Sequence, residues 1–391
     1  MKLAFVVQRY GADIAGGSEA HCRQLAERLS PHHDITILTT CARDYVTWDN
    51  VFAEGEQRDG AVRVWRFPVR RPRSLKRFAE ISDDVFDATT SIERQHDWFR
   101  ENGPDAPALL DHLRRHGREY DLVVFWTYRY APSYFGVPLV ADRALLIPTA
   151  EDDPAIDLTV LREFFRLPAG YLFLTPEEQA LVNVRAGTDL EPAAVIGMGI
   201  DPPALLEANA ILARHEIPPD FVLYLGRVDR NKGCDTLLEY FQEYAARHSD
   251  ATLVLAGPAK MQIPEHPRIR PLGYVSDELR NALLASARAL VIPSPYESLS
   301  IVLLEAWNHG VPALVNGRCR VLQGQVRRAN GGLYYRSSRD FEEALTYLLS
   351  HSRERDSLGK QGREYLDREY RWETVLSRVD ELFDRVKRSR R

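Results

Sequence analysis

The sequence predicts an α/β protein with two doubly wound, Rossmann-like domains. Apolar strands alternate with helical segments in both halves of the chain, and this alternation restarts at residue 221 after a proline-rich stretch. The 391 residues also exceed what one core usually holds. Ligands of such sheets bind beyond the carboxyl ends of the strands, so we expect one interdomain cleft lined by the loops after Gln8, Leu225, Ala256 and Ile292.

The first domain is expected to span residues 1–200 and to begin with a β–α–β unit. Lys2–Gln8 is an unbroken apolar strand, Gly11–Gly17 is a glycine-rich loop, and Ser18 can cap the helix that follows. The remaining strands are predicted at 34–39, 61–67, 121–126, 144–147, 172–174 and 194–196. Residues 74–119 are mostly polar and are predicted to be helical.

The second domain is expected to span residues 201–371, because four prolines between 202 and 219 mark a boundary. Its strands are predicted at 221–225, 252–256, 269–271 and 289–292. Its helices are predicted at 234–247, 277–287, 300–309, 340–350 and 352–368. A charged amphipathic helix follows from Trp372.

Composition and charge exclude several classes of protein. The net charge of −5 argues against a nucleic-acid partner. Four widely separated cysteines show no CxxC or Cys/His spacing, which predicts a reducing compartment and no metal site. The N-terminal apolar run is too short for a signal peptide, and no apolar run reaches the roughly 20 residues that span a bilayer. We therefore expect a cytoplasmic protein.

The segment SPYESLSIVLLEAWNHGVP (294–312) holds two acids, eight residues apart, near the start of a helix. Backbone N–H groups at 299–302 could bind a diphosphate, and the carboxylate of Glu305 could accept hydrogen bonds from a diol. The spacing alone fits equally well a helix-terminal charge at Glu297 and a solvated Glu305. The apolar neighbours of Glu305 favour the binding interpretation.

The segment YLGRVDRNKGCDTLL (224–238) holds two cations between a strand and a helix. Arg227 and Lys232 could neutralise a pyrophosphate leaving group, although an ordinary charged loop has the same composition. Gly16 and Gly17 could admit a phosphate or sugar close to the backbone, but a tight turn explains them equally well. Their spacing is not the fingerprint of a nicotinamide site.

Together these motifs resemble glycosyltransferase family 4, the retaining enzymes of the GT-B fold. The resemblance covers nearly the whole chain and rests on GRVDRNKG, LVLAGP, LGYVSDEL and YESLSIVLLEAWNHGVP, which occur in the family's order. It implies an acceptor-side domain at 1–200, a donor-binding domain at 201–371, and a helix at 372–391 that packs back on the first domain.

The resemblance also implies the site residues. Arg227 and Lys232 would bind the donor diphosphate, Glu305 would bind the ribose, and Glu297 would lie beside the transferred sugar. The catalytic set is therefore Glu297, Arg227 and Lys232. The further donor-binding residues are Gly16, Gly17, Gly273, Tyr274, Val275, Leu299, Ser300, Ile301 and Glu305.

Two departures from the family pattern change the expected sugar contacts. Leu299–Ser300 replaces a common Phe-Gly, and the strand end at 125–130 lacks a histidine. We therefore name Tyr128, Glu151 and Asp152 as first-domain sugar contacts, although the contiguous acids at 151–153 fit a solvated turn as well.

The implied function is a retaining, metal-independent hexosyltransferase of polysaccharide biosynthesis. It would move a hexose from a GDP- or UDP-linked donor to a saccharide or lipid-linked glycan acceptor, and the nucleotide sugar would be its substrate, with no cofactor. The absence of a nucleophile triad fits front-face attack. The alternatives are a nucleotide-sugar epimerase or phosphorylase on the same fold, and a catalytically impaired homologue that acts as a binding or assembly partner.

A basic run at 63–77 (RVWRFPVRRPRSLKR) contains seven cations and no acid. Near an anionic bilayer each such charge contributes about 1 kcal/mol, so the run predicts a peripheral contact at the inner face of the membrane. A solvated loop paired with the acidic stretch Glu80–Asp87 is an equal alternative.

Overall fold

The structure, a computed structural model, describes residues 1–14, 16–86, 90–204, 206–249 and 251–390. Ala15 of the glycine-rich loop, Asp87 of the acidic stretch and the terminal Arg391 lie outside the described residues. The chain divides into two compact units, Met1–Gly197 together with the residues from Leu376 onward, and Met198–Val375. Each unit contains one largely parallel sheet, which confirms the predicted fold class.

The first unit is built on an eight-stranded sheet in the order β3-β4-β2-β1-β5-β6-β7-β8, in which only the edge pair β3–β4 is antiparallel. Its central strands β1, β5, β6 and β7 are almost wholly apolar, as expected of a parallel sheet covered on both faces; all five residues of β5, for example, are buried. The strands are β1 Lys2–Val6, β2 Asp34–Thr40, β3 Gly55–Asp59, β4 Val62–Phe67, β5 Leu122–Trp126, β6 Ala144–Ile147, β7 Gly170–Phe173 and β8 Ala193–Val195.

In the described part of the chain, seven α-helices connect these strands. They are α1 Gly17–Leu29, α2 Leu75–Phe86, α3 Ile92–Asn102, α4 Pro107–His116, α5 Ala131–Gly136, α6 Leu161–Phe164 and α7 Pro176–Ala186. Aromatic side chains fill much of the core between the helices and the sheet; Phe99 and Tyr134, for instance, stack with their ring centroids 3.7 Å apart.

The second unit is built on a six-stranded, fully parallel sheet in the order β11-β10-β9-β12-β13-β14. The chain moves outward from β9 in one direction and from β12 in the other, so the strand order reverses between these two strands. Ligands of open α/β sheets bind at such a point. The strands are β9 Phe221–Leu225, β10 Thr252–Ala256, β11 Ile269–Gly273, β12 Ala289–Ile292, β13 Ala313–Asn316 and β14 Gly332–Tyr335.

The helices of the second unit are α8 Ala208–Arg214, α9 Cys234–Arg247, α10 Asp277–Ser286, α11 Ile301–Asn308, α12 Arg320–Ala329, α13 Ser338–Ser350 and α14 Ser352–Glu369. The last helix, α15, spans Trp372–Ser389, and its residues from Leu376 onward belong to the first unit. In that unit His33 contacts α15 through Asp380, with 3.1 Å between Nε2 and Oδ1.

The structure corrects several local predictions, and it adds strands β13 and β14 and helix α12, which were not predicted. Strand β3 was missed because its sequence, GEQRD, is polar and mostly exposed, and only pairing with β4 makes it a strand. Helix α1 begins at Gly17 with Gly16 as its N-cap, so Ser18 lies inside the helix instead of capping it. Helix α11 begins at Ile301, one residue later than predicted, with Ser300 as its N-cap.

Candidate functional site

The loops after β9 and β12 carry the strongest candidate site of the second unit. These strands are neighbours at the point where the strand order reverses, so their carboxyl ends lie side by side. Arg227 and Lys232 follow β9, and Glu297 follows β12. The arrangement therefore brings two cations and one acid to the edge of the sheet where a ligand is expected.

Lys232 and Glu297 form an ion pair, with 2.8 Å between Nζ and Oε1. The side chain of Glu297 is 13% exposed and that of Lys232 is 33% exposed, so the pair is partly shielded from solvent. A charge-assisted hydrogen bond at this depth is stronger than a surface ion pair. The sequence placed both residues in the site but did not predict this direct contact.

The two loops can approach closely because Gly233 has no side chain. Its φ of 73° is in the left-handed region, and an added Cβ would lie 2.4 Å from the carbonyl oxygen of Pro293. On the other side, Asn316 at the end of β13 donates from Nδ2 to the same carbonyl oxygen at 3.1 Å. These contacts hold the loop that carries Lys232 against the loop that carries Glu297.

Asp229 organises the cationic loop and was not predicted as a site residue. Its Oδ1 accepts a hydrogen bond from the backbone N–H of Lys232 at 2.9 Å, which caps the 3₁₀ turn at 230–232. Its Oδ2 forms an ion pair with Nε of Arg227. One largely buried carboxylate thus orients both cations. An Asp three residues before Lys232 is an N-cap pattern that sequence reasoning could have used.

Glu305, on α11, is mostly buried and pairs with Arg280 of α10. Burial raises the pKa of Glu305 above its ordinary value, and Arg280 opposes that shift. The solvated-position interpretation of Glu305 is therefore wrong. Arg280 was missed, because nothing in the local sequence of α10 shows that it faces α11.

The N-terminus of α11 is less open than its sequence indicates. Ser300 is buried, and its backbone N–H lies 3.4 Å from Oε1 of Gln325, a fully buried side chain on α12. Leu299 is also buried, whereas Ile301 is partly exposed. One of the predicted backbone donors thus already has a weak partner in the protein.

The predicted nucleobase contacts lie at the carboxyl end of β11. Gly273 ends this strand with φ 68° and accepts a hydrogen bond from the N–H of Gly257 at 2.7 Å. Tyr274 is 88% exposed, and Val275 is partly exposed. An aromatic side chain that protrudes this far buries little apolar surface in the fold, so its ring is free to stack on a planar ligand.

In the first unit, Gly16 and Gly17 lie at the start of α1 beside a buried ion pair. Glu19 accepts from Nε of Arg9 at 2.9 Å and from Nε2 of Gln8 at 3.0 Å. A Cβ on Gly16 would lie 2.1 Å from Oε2 of Glu19. The carboxylate therefore provides a structural reason for glycine at this position, and sequence reasoning missed the ion pair.

The predicted sugar contacts of the first unit lie in the loops after β5 and β6, and they differ in their exposure to solvent. Tyr128 is fully buried in the core of the first unit, so its ring presents no surface to a sugar. Asp152 is exposed. Glu151 is partly exposed and lies 3.9 Å from Arg129, which also binds Asp153 at 2.7 Å.

Two threonines at the same edge adopt a strained backbone conformation. Thr127 has φ 63° and Thr149 has φ 48°, values that β-branched residues rarely adopt. The hydroxyl of Thr149 donates to that of Thr127 at 3.0 Å, and the latter donates to Ser18 at 3.2 Å. Strain of this kind costs about 1–3 kcal/mol per residue and tends to occur at functional sites.

Glu178, on α7, forms hydrogen bonds to the backbone just after β6 and just after β7. Its carboxylate accepts from the backbone N–H of Ala150 at 2.7 Å and of Leu174 at 2.6 Å. Complete burial raises the pKa of Glu178 from 4.5 to about 8. This group therefore ionises near neutral pH.

The cations of the basic run at 63–77 make contacts within the first unit. Their partners are Asp34 for Arg63, backbone carbonyls for Arg66 and Arg73, Asp105 for Arg70, Glu101 for Arg71 and Arg77, and Glu80 for Lys76. Among the described residues, the predicted pairing with 80–87 thus holds only for Lys76, and most of the acids come from elsewhere in the chain. The most exposed of the ion-paired cations are Lys76 (87%) and Arg70 (65%).

Within the described parts of the chain, none of the helices combines the length and the apolarity needed to cross a bilayer. Over the same residues, no three His, Cys, Asp or Glu side chains converge in a way that could hold a metal ion.

Comparison with known families assigns the second unit. A family model described as "Glycosyl transferases group 1" matches residues 219–351, which contain Arg227, Lys232, Glu297 and Glu305. This segment is a group 1 glycosyl transferase domain. The group 1 domain thus contains both acids and both cations that were predicted to bind the donor.

Similarity to known proteins extends beyond this segment to the whole chain. An uncharacterized glycosyltransferase of Methanocaldococcus jannaschii is 24% identical and is matched over 98% of each chain. Sucrose-phosphate synthase from Thermosynechococcus elongatus has a TM-score of 0.74 at 18% identity, over 99% of each chain. The Anabaena protein HepE, solved with UDP and glucose, has a TM-score of 0.70 at 14% identity, over 97% of this chain and 98% of its own. The fold is therefore GT-B, as predicted.

Proposed function

We propose that this protein is a retaining hexosyltransferase that uses a GDP- or UDP-linked sugar. The observation that carries the proposal is the Lys232–Glu297 ion pair, which lies with Arg227 where the strand order of the second sheet reverses. Two cations suit a diphosphate, and an adjacent carboxylate suits sugar hydroxyls. The solved complexes of HepE with UDP and glucose support a nucleotide-sugar donor.

In this proposal Arg227 and Lys232 hold the diphosphate while its charge grows. The bond between sugar C1 and the diphosphate oxygen breaks, and the acceptor oxygen bonds to the same face of C1. The acceptor proton passes to a diphosphate oxygen. Glu297 orients the transferred sugar, and the two cations stabilise the leaving group without a metal.

The remaining donor contacts are proposed from their positions. Glu305 would bind the ribose, and the exposed ring of Tyr274, with Gly273 and Val275, would face the base. Leu299, Ser300 and Ile301 would line the sugar and phosphate end. Predicted roles for Gly16, Gly17, Glu151 and Asp152 are retained as proposals, whereas the buried ring of Tyr128 gives its predicted role no support.

The acceptor is proposed to be a saccharide or a lipid-linked glycan of polysaccharide biosynthesis, in a cytoplasmic protein. A membrane contact through 63–77 would have to use Arg70 and Lys76 above all, because their side chains are the most exposed of the ion-paired cations in this run. Sedimentation with phosphatidylserine vesicles tests it. Salt-sensitive binding that a double R70A/K76A variant loses would support the contact, and no binding by the wild type would refute it.

The test of the main proposal is nucleotide release from UDP-glucose, GDP-mannose and related donors, with and without EDTA. We expect release with at least one donor, unchanged by EDTA, and NMR of the product should show the anomeric configuration of the donor. Conversion of the donor sugar without nucleotide release would identify an epimerase. Nucleotide binding without any turnover would identify the impaired homologue, and an inverted product would refute retention.

A further inference from the structure

Arg280 and Glu305 join two neighbouring helices of the second unit. Arg280 lies on α10, and its guanidinium NH2 group contacts Oε1 of Glu305 on α11. The two side chains are 29% and 19% exposed, so the pair lies partly below the surface. A guanidinium presents its N–H donors in a rigid, planar geometry. It therefore fixes the orientation of the carboxylate as well as neutralising its charge.

The second carboxylate oxygen of Glu305 makes no hydrogen bond in the described part of the chain. Oε2 is buried and has no hydrogen-bond partner among the described residues. A buried acceptor without a partner costs about 1–3 kcal/mol. A ligand that donates a hydrogen bond to Oε2 would remove this cost. An ionised carboxylate has about four acceptor positions. Arg280 occupies one of them, which leaves enough for two adjacent hydroxyl groups.

The charges around Glu305 make Arg280 its main counter-ion. Burial raises the pKa of Glu305, the nearby carboxylate of Asp277 raises it further, and Arg280 lowers it. Strands β12 and β13, which also pack against α11, carry no titratable side chain. Arg280 also acts on His309 at the end of α11: burial, Arg363 of α14 and Arg280 all lower the pKa of that histidine.

We propose that Arg280 is a positioning residue for the donor nucleoside, holding the carboxylate of Glu305 as an anion turned toward a vicinal diol. The inference rests on the proposed function, in which Glu305 binds the ribose of the donor. It assigns Arg280 no contact with the reacting atoms. It also explains why an arginine contacts an acid that the fold already mostly buries.

The probes are UDP and GDP together with their 2′,3′-dideoxy forms, and binding is measured by calorimetry from pH 5.5 to 8.5. In R280M, Glu305 loses its counter-ion and takes up a proton more readily. Affinity for the better of UDP and GDP should therefore fall about ten- to a hundredfold, most strongly at low pH, and recover as the pH rises. R280K should restore most of the affinity. The dideoxy form should bind R280M and wild type alike.

Three controls make the result decisive. E305Q should bind weakly at every pH, and adding R280M to it should change nothing more. R214M removes an arginine from the exposed Arg214–Glu278 pair, which joins α8 to the same helix α10, and should leave binding unchanged. R280Q replaces R280M if the latter does not fold.

Either of two results would overturn the role of Arg280 without affecting the proposed function. One is a wild-type-like pH profile of binding in R280M or R280Q. The other is a loss of affinity for the dideoxy nucleotide equal to that for the ordinary nucleotide. Failure of the wild type to bind UDP or GDP would instead overturn the proposed function, and this inference with it.

Discussion

Nζ of Lys232 lies 2.8 Å from Oε1 of Glu297, although the two residues are 65 positions apart in the chain. The contact exists because β9 and β12 are neighbours in the sheet and their loops meet at Gly233 and Pro293. The pair lets a cation and an acid share a partly shielded site, where each lowers the cost of burying the other. A bound donor would supply both groups with new partners at once.

Lys232→Ala should reduce turnover about 10²–10³-fold, because it removes one of the two proposed cations at the leaving group. Lys232→Arg keeps the charge and should retain more activity. The measurement is the rate of nucleotide release with the preferred donor, alongside the melting temperature. Near-normal turnover in the alanine variant would contradict the assigned role.

Asp229→Ala should lower both stability and turnover, whereas Asp229→Asn should lower turnover more than stability. Alanine removes the cap on the N–H of Lys232 and the partner of Arg227, and loss of a cap costs about 1 kcal/mol. Asparagine keeps an oxygen for the cap but removes the charge. Thermal unfolding and nucleotide release distinguish the two effects. Equal turnover in Asp229→Asn and wild type would show that Asp229 does not orient Arg227.

Gly233→Ala should destabilise the second unit and abolish most turnover. The left-handed backbone costs about 1 kcal/mol for alanine, and the added Cβ would also collide with the carbonyl of Pro293. Gly310→Ala is a matched control, because Gly310 has the same φ of 73° but nothing within 4 Å of an added Cβ. Melting temperatures and turnover of both variants are compared. Equal losses would show that the loop contact at Gly233 does not matter.

The contribution of Glu178 to the stability of the first unit should fall as the pH rises from about 4.5 to 8. Burial raises the pKa of Glu178 to about 8 in the folded protein. The folded state therefore holds one more proton than the unfolded chain in this window, and raising the pH removes that advantage.

Glu178→Gln should be free of this contribution, so its melting temperature should approach or exceed that of the wild type as the pH rises. Differential scanning fluorimetry between pH 5 and 9 measures the difference. Glu163→Gln, at an exposed carboxylate, should follow the wild type. A constant difference between Glu178→Gln and wild type across this range would contradict the prediction.

Much of the second unit could be predicted because the patterns that indicate it involve residues close together in the sequence. A buried parallel strand is recognised as an apolar run, and Arg227 and Lys232 lie within one loop only five residues apart. The helix with Glu305 directly follows the loop with Glu297. Strand β3 was beyond such reasoning because its residues are polar and only β4 gives it a partner. Arg280, Gln325 and Asp229 were missed because each acts on a residue of another element or through a backbone group.

The sequence by itself determined the α/β class, the two-part organisation and the residue types that follow β9 and β12, because these depend on periodicity and order along the chain. Only the tertiary structure decided that Lys232 forms an ion pair with Glu297 and that Arg280 forms one with Glu305. It also decided that Tyr128 is buried. The physical reason is that charge pairing and burial depend on which elements pack together. That packing is set by the strand order and by close approaches such as Gly233 on Pro293, which no local pattern records.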